Sequence, residues 1–522
     1  MKQLKSGHAA REAILNGVRK LEEQVSATMG AKGRNILLEK KGVPVITKDG
    51  VTVAREIHLP DRFEDMGCQL VKQAANETNR LAGDGTTNSV VLAYSMMKNG
   101  MKKIKRGANA ISMKRGMDKA KDSIIAQLNT MKKDVTKKEQ LQAIATISSQ
   151  DEEIGKVVAD VISQVGKDGI VTSEASAIAG IESEVVEGME LDYPLVSPYF
   201  INNPKLTAVI GDTPILITDK RITHFKQILP ILKLIKETYE VPRITIICKD
   251  MRDEALVSSV VNKQKGQLEI AVVKFPETNQ SLEILEDVAK LTGATIISEI
   301  FNLRLEKMNL EQLGHAKKII AGKDKITIIG GEGNIEERIE ELKIQLEQED
   351  NPMLRKRLAK LTNGVAVIRV GANTEVEQTE RLHRVEDAIN AAKAASEEGI
   401  LAGGGTAYLR CVNNLKLTGD EETGAEIVFH AIQTTTEVIA DNSGANGKKV
   451  REEVQRLTGN MGYNALTNSY ENLMDSNVID PTKVVRIALE NAVSVASIFL
   501  TLEGAVCFIK PEEPGFDLSL VD

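Results

Sequence analysis

Leu81-Ala82-Gly83-Asp84-Gly85-Thr86-Thr87-Asn88 interrupts one helical pattern and starts another. Ahead of it Met66, Leu70, Val71, Ala74 and Ala75 recur at helical spacing, and behind it Val90, Val91, Ala93, Tyr94 and Met97 do the same. The spacing predicts a tight link at Gly83–Gly85 and a second helix from about Thr86. A helix start presents unpaired backbone N–H groups and a partial positive charge, which together suit an anion such as phosphate. Two glycines let the backbone come close to a ligand with no Cβ in the way. Thr86 and Thr87 add hydroxyls, and Asp84 offers a hard oxygen to Mg²⁺ held against phosphate. A bare Gly-Asp-Gly is more often a turn before a capped helix. The complete GDGTT string weighs toward a nucleotide.

Working outward, 522 residues exceed what one hydrophobic core usually serves, so two or three domains are expected. The absence of Trp and an aromatic share of 3% argue against stacking platforms for single-stranded nucleic acid. A formal net charge of −7 argues against a nucleic-acid footprint over the whole molecule, and Lys102-Lys103-Ile104-Lys105-Arg106 reads as a solvated helix face. The four cysteines (Cys68, Cys248, Cys411, Cys507) form no CxxC pair and the six histidines no HExxH, so neither a zinc site nor a disulfide framework is expected. Each cysteine reads as a small buried hydrophobe in a reducing, cytoplasmic compartment. Residues 1–30 carry charges throughout, so no secretory signal is expected. The best membrane candidate, Asn491–Leu502, is uncharged for only 12 residues, too short to span a bilayer.

Along the chain, residues 8–29 read as an amphipathic helix ending in the glycine-rich turn Met29–Asn35. Val43–Thr47 reads as a strand entering Lys48-Asp49-Gly50, where Asp-Gly taken alone is a hairpin signal. Helical spacing runs to about residue 130 and resumes over Gln140–Val165, and Gly166-Lys167-Asp168-Gly169 turns into the strand Ile170–Thr172. From near Gly188 the pattern becomes β-branched runs (Ile215–Thr218, Ile244–Cys248, Ile270–Lys274, Thr295–Ser298) alternating with helices at Phe225–Thr238 and Asp253–Gln264, an α/β module. Asn334–Leu361 reads as a broken helix or helical hairpin with its charges on an exposed face. Val365–Val370 reads as a strand and Glu375–Glu398 as one long helix, delivering Glu386 and Asp387 toward Gly403-Gly404-Gly405. Helices dominate thereafter, with a hairpin-like passage at Gly462–Asp480.

Familiar nucleotide patterns are missing. Gly447-Lys448-Lys449 lacks the first glycine and the hydroxyl of a Walker A loop, and Gly331-Glu332-Gly333 lacks the third glycine of a Rossmann fingerprint. No GxSxG nucleophile elbow is present. GDGTT is therefore a phosphate site of another kind.

Its context carries a resemblance. TMGAKGRN at 28–35, TKDGVTVAREI at 47–57, FEDMG at 63–67, AGDGTT at 82–87, RVEDAINAAKAA at 384–395, EEGILAGGGTA at 397–407, GYNA at 462–465 and DPTKVVR at 480–486 stand in the order typical of group I chaperonins. SPYFIN at 197–202 and ISE at 297–299 extend the match through the middle, so the chain resembles a bacterial-type chaperonin over almost its full length.

The resemblance implies a multidomain α+β and α/β protein. A mostly helical equatorial ATP domain would take residues 1–130 and 398–522, a small hinge-like intermediate domain 131–186 and 365–397, and an α/β apical domain 187–364. ATP or ADP would lie on Thr28, Met29, Gly30, Lys48, Gly83, Asp84, Gly85, Thr86, Thr87, Asn88, Gly404, Asn464, Ala465 and Asp480. Asp84 would hold Mg²⁺, with K⁺ a further candidate ion; Asp480 would take the ribose hydroxyls, and Asn464-Ala465 the base edge. Asp387 would position the attacking water with help from Asp49, which suits phosphoryl transfer, where positioning and charge neutralisation do most of the catalysis. Tyr199, Phe200, Leu229, Leu232, Leu256, Val260 and Val261 would form an apolar patch for non-native polypeptides and for a small GroES-like lid co-chaperonin. Homo-oligomeric, stacked seven-membered rings in the cytoplasm follow from the same likeness, with no nucleic-acid or membrane partner. The alternative reading is a holdase or assembly scaffold with little ATP turnover. Several positions depart from the family pattern: Asn88 replaces a third threonine, Leu195 an aromatic and Tyr193 an arginine. Pro276–Leu285 lacks the expected glycine- and arginine-rich run, and Pro514–Leu518 precedes no Gly-Gly-Met repeat.

Overall fold

The structure is a computed structural model describing residues 2–40, 43–166, 169–203, 206–276, 281–348, 351–362 and 364–508. Three sequence features lie wholly or partly outside these residues: Lys167-Asp168 of the turn before Ile170, residues 277–280 of the altered segment, and the 514–518 tail. The chain divides into two compact units, Met1–Asp160 with Ala372–Asp522, and Val161–Gly371.

The first unit is a bundle. Helices Gly7–Val25, Arg62–Ala82, Thr86–Ile104, Ala110–Met131, Gly419–Asn442 and Thr482–Leu500 share one core that includes Leu21, Cys68, Leu92, Met96, Met113, Met117, Ile432 and Phe499, all at most 1% exposed. Gly116 and Gly424 bring two of these helices into backbone contact. A Cβ on Gly116 would fall 1.8 Å from the Glu421 carbonyl, and one on Gly424 2.0 Å from that of Met113. Two-stranded pairs close the unit: Lys2–Ser6 with Gly504–Phe508, Ile36–Lys40 with Val43–Thr47, Met461–Asn464 with Ser469–Asn472, and Ile400–Ala402 with Ile479–Pro481. The last pair sets Asp480 opposite Leu401. All four cysteines are free; three are buried and Cys411 half-buried.

Two sequence expectations change here. Asp49-Gly50 is not a hairpin turn, because the Asp49 carboxylate accepts from the backbone N–H groups of Val51 and Thr52, both at 2.9 Å, and starts the helix Gly50–Glu56. The periodic stretch 140–165 is two helices, Lys138–Ser149 and Glu152–Val165, parted at Gln150, whose φ of 56° ends the first.

The second unit carries a seven-stranded sheet. Its order is Glu269–Lys274, Arg243–Cys248, Ala208–Thr218, Gly314–Ala321, Ile326–Gly331, Gly188–Leu191, with Ile296–Ile297 parallel to the end of Ala208–Thr218. Alternation along the central strand sorts the two faces. Ile215 and Ile217 pack with Leu285 and Val288 of the helix Ser281–Thr292, whereas Leu216 packs with Ile231 and Ile235 of Leu229–Thr238 and Ala255 of Asp253–Gln264. A three-stranded sheet places Val365–Gly371 between Ile170–Ala175 and Gly180–Val186.

The helical hairpin Glu336–Gln348 and Pro352–Thr362 departs from its expected exposed face. Arg357 donates to Asp287 at 2.7 and 2.9 Å, and Arg338 to the same carboxylate at 2.8 Å. Asp287 and Arg357 side chains are 1% and 6% exposed, so these charges are buried and pin the hairpin to Ser281–Thr292.

Candidate nucleotide site

The link Gly83-Asp84-Gly85 adopts the geometry its glycines permit. Helix Arg62–Ala82 ends at Gly83 with φ 73°, and helix Thr86–Ile104 starts from Gly85 with φ 87° and no side-chain cap. Both values lie in the left-handed region that side chains disfavour. A Cβ on Gly83 would stand 2.2 Å from the side chain of Asn390 on Glu375–Glu398, and one on Gly85 2.8 Å from Val484. The second helix start, Asp49-Gly50, reaches the same place: a Cβ on Gly50 would fall 2.1 Å from the Thr87 hydroxyl. An uncapped helix start thus lies beside a capped one, with the N–H groups of the first available to an anion.

Four carboxylates from distant parts of the chain converge there. Burial pushes the Asp84 carboxyl up, its Gly85 N–H hydrogen bond at 2.5 Å opposes this, and the charge of Asp49 raises it further. Asp387 is raised well above the usual carboxylate range by burial first, then by Asp84, Asp49 and Glu386. Asp480 is raised to about 6 by burial and by Asp84, against a hydrogen bond from the Gly404 N–H. Like charges brought this close on half-buried side chains create a place for a cation. No group of three or more His, Cys, Asp or Glu among the described residues forms a metal cage. One or two carboxylates suffice for Mg²⁺ when phosphate and water complete its shell, and Asp84, with Asp49 and Asp387 close enough to act on its surroundings, is of that donor type.

Lys48 donates to Gln150 at 2.6 Å, and its ammonium pKa is lowered by burial and by Arg384, one turn from Asp387 on the same helix. The Gly404 carbonyl accepts from Thr436 at 3.0 Å. Thr28 donates to the Val25 carbonyl at 2.8 Å, the Met29 carbonyl accepts from Asn442 at 2.9 Å, and Gly30 has φ 85° against Ile439. Asn464 donates to Glu471 at 2.6 Å and accepts from the Leu466 N–H at 2.9 Å, and Ala465 is buried beside it. Asn88 turns away: its carbonyl oxygen accepts from Thr435 at 2.8 Å on the helix Gly419–Asn442.

Sequence reasoning missed Asn390, Gln150 and two hydroxyls. Among the described residues, Thr86, Thr406 and Thr482 have buried Oγ atoms with no hydrogen-bond partner. Each is the first residue of a helix with no side-chain cap, following Gly85, Gly405 and Pro481. The signal available was that repeated motif, a residue unable to cap followed by threonine.

The expected apolar patch is only partly a surface. Tyr199 is 66% and Val261 39% exposed, and Leu229, Leu256 and Val260 are half-buried. Phe200 and Leu232, at 0% and 6%, belong to the core against the sheet, which corrects their place in a contact surface. Val257, unnoticed in the sequence, is 63% exposed on the same helix as Val261.

A profile of the TCP-1/cpn60 chaperonin family matches residues 21–507. Among solved structures, the chaperonin gp146 from the bacteriophage EL 2 (Pseudomonas aeruginosa), crystallised in the presence of ATP-BeFx, superposes with a TM-score of 0.71 at 18% identity, covering 97% of this chain and 99% of its own.

Proposed function

The chain belongs to the TCP-1/cpn60 chaperonin family, and on that premise we propose that it captures non-native polypeptides on an apolar apical surface and encloses them in a ring chamber, driven by Mg-ATP binding and hydrolysis. The observation that carries this reading is the set of half-buried carboxylates Asp84, Asp387 and Asp480, with the charge of Asp84 raising the other two, beside an uncapped helix start. Mg²⁺, when bound, would neutralise phosphate charge.

In this reading the Thr86–Ile104 helix start and Lys48 hold phosphates, Asp84 supplies the metal's carboxylate, and Asp480 accepts from ribose hydroxyls. Asp387 orients and polarises the attacking water, with Asp49 assisting, and Asn464-Ala465 meets the base. We assign residues 1–130 and 398–522 to an equatorial domain, 131–186 and 365–397 to a hinge-like intermediate domain and 187–364 to an apical domain. Because Asp387 would then lie on the hinged part, closure gates hydrolysis. Tyr199, Val257 and Val261 form the exposed part of the capture surface, shared with a lid co-chaperonin, in stacked cytoplasmic rings. Crystallisation of gp146 with an ATP analogue supports the nucleotide assignment by analogy of fold.

Phosphate release measured by malachite green tests the reading. Asp387→Ala should bind ATP yet turn over slower by about 10²-fold or more, and Asp84→Ala should lose Mg²⁺-dependent turnover. Normal turnover in either variant rejects that residue's role. A wild-type protein that binds clients without releasing phosphate is a holdase instead.

A further inference from the structure

Lys48 follows the strand Val43–Thr47 on a flexible four-carbon stem, so its ammonium points where a partner holds it. That partner is Gln150: Nζ of Lys48 donates to Oε1 of Gln150 at 2.6 Å, across 102 residues of sequence. Gln150 stands at the corner between the helices Lys138–Ser149 and Glu152–Val165, with φ 56°.

Flanking residues fix this corner. Oγ of Ser149 donates to the Ala145 carbonyl at 2.6 Å and accepts from the Asp151 N–H at 3.3 Å. The Asp151 carboxylate accepts from the N–H groups of Glu153 and Ile154 at 2.9 and 3.2 Å, so it is engaged in starting the second helix. The group this corner offers Lys48 is therefore an amide, which orients an ammonium without neutralising it. Ile144 of the first helix packs with Ala391 and Ala395 of Glu375–Glu398, the helix that carries Asp387. From that same helix the charge of Arg384 acts on Lys48, second to burial in lowering its pKa. The surroundings of Lys48 thus stay positive, which suits a polyanion.

We infer that Gln150 positions the Lys48 ammonium for the phosphates of the nucleotide, an assignment that rests on the nucleotide site proposed above. Held from the corner, the ammonium is already ordered, and less side-chain freedom is lost when phosphate arrives. A carboxylate at the same place would hold Lys48 more tightly and compete with phosphate for it.

Isothermal titration of the full-length protein with Mg-ADP tests this, alongside phosphate release. Gln150→Met keeps the length of the side chain and removes the acceptor. It should weaken Mg-ADP binding about fivefold and raise KM for ATP equally, with kcat within about twofold of wild type. Gln150→Glu should also weaken binding, because it neutralises the ammonium. In the Lys48→Met background, Gln150→Met should change Mg-ADP affinity by less than about twofold, since its partner is gone. Gln150 is exposed, so its variants should keep the wild-type melting temperature. Wild-type affinity in Gln150→Met or in Gln150→Glu overturns the inference. So does a loss that persists in full in the Lys48→Met background, or one carried by kcat alone. No Mg-ADP binding by wild type overturns the nucleotide site itself, and the inference with it.

Discussion

Replacing Asp480 by Asn should stabilise the nucleotide-free protein while weakening its hold on nucleotide. Burial and the Asp84 charge lift the Asp480 carboxyl from 3.8 to about 6. That rise of roughly 2 units corresponds to about 3 kcal/mol of unfavourable ionisation at neutral pH. Asn removes the charge but weakens the hydrogen bond from the Gly404 N–H, a loss of about 1–2 kcal/mol, so the expected net gain is about 1–2 kcal/mol. The sign follows from proton counting. With its folded pKa above its unfolded one, the folded state binds more protons between about pH 4 and pH 6, and stability falls as pH rises through that window. Above it the full penalty applies. Thermal unfolding at about pH 5 and about pH 7.5, with and without Mg-ADP, measures this. Wild type should lose more stability than Asp480→Asn on going to the higher pH, and the order should reverse with Mg-ADP, because the variant's neutral amide oxygen is a weaker acceptor for the ribose hydroxyls than a carboxylate. A variant less stable than wild type without nucleotide, with an unchanged pH slope, refutes the reasoning.

Gly83→Ala combines a φ of 73° with a Cβ placed 2.2 Å from the Cβ of Asn390, so it should cost about 2–4 kcal/mol in denaturant unfolding. Phe200→Ala should destabilise by about 3–5 kcal/mol as a core truncation. Tyr199→Ala should stay within about 0.5 kcal/mol yet capture less of a denatured client in a light-scattering assay, since it is 66% exposed. Arg357→Ala removes two of the three arginine hydrogen bonds on the buried Asp287 carboxylate and leaves Arg338, so it should cost about 1.5–3 kcal/mol in denaturant unfolding.

The helical parts and the phosphate loop were legible because their signals are local. Apolar spacing on either side of Gly83–Gly85 located the break to the residue, and Glu375–Glu398 has the expected bounds. Asp49-Gly50 misled because the same dipeptide makes a hairpin turn or a helix cap, and only the chain that follows decides. The strands Gly180–Val186 and Gly314–Ala321 escaped notice for a different reason. GIESEVV is mostly exposed and HAKKIIA carries two lysines, so partner strands rather than hydrophobic runs define them. The convergence of Asp84, Asp387 and Asp480 and the burial of Phe200 and Arg357 depend on contacts between distant segments, which no spacing rule contains.

A crystal structure with ADP and Mg²⁺ tests the central claim most directly. The account predicts the metal about 2.1 Å from an Asp84 carboxylate oxygen, with phosphate on the first turn of Thr86–Ile104 and Asp480 on the ribose. Nucleotide bound elsewhere, or Asp84 turned away from a metal held by other residues, would contradict it.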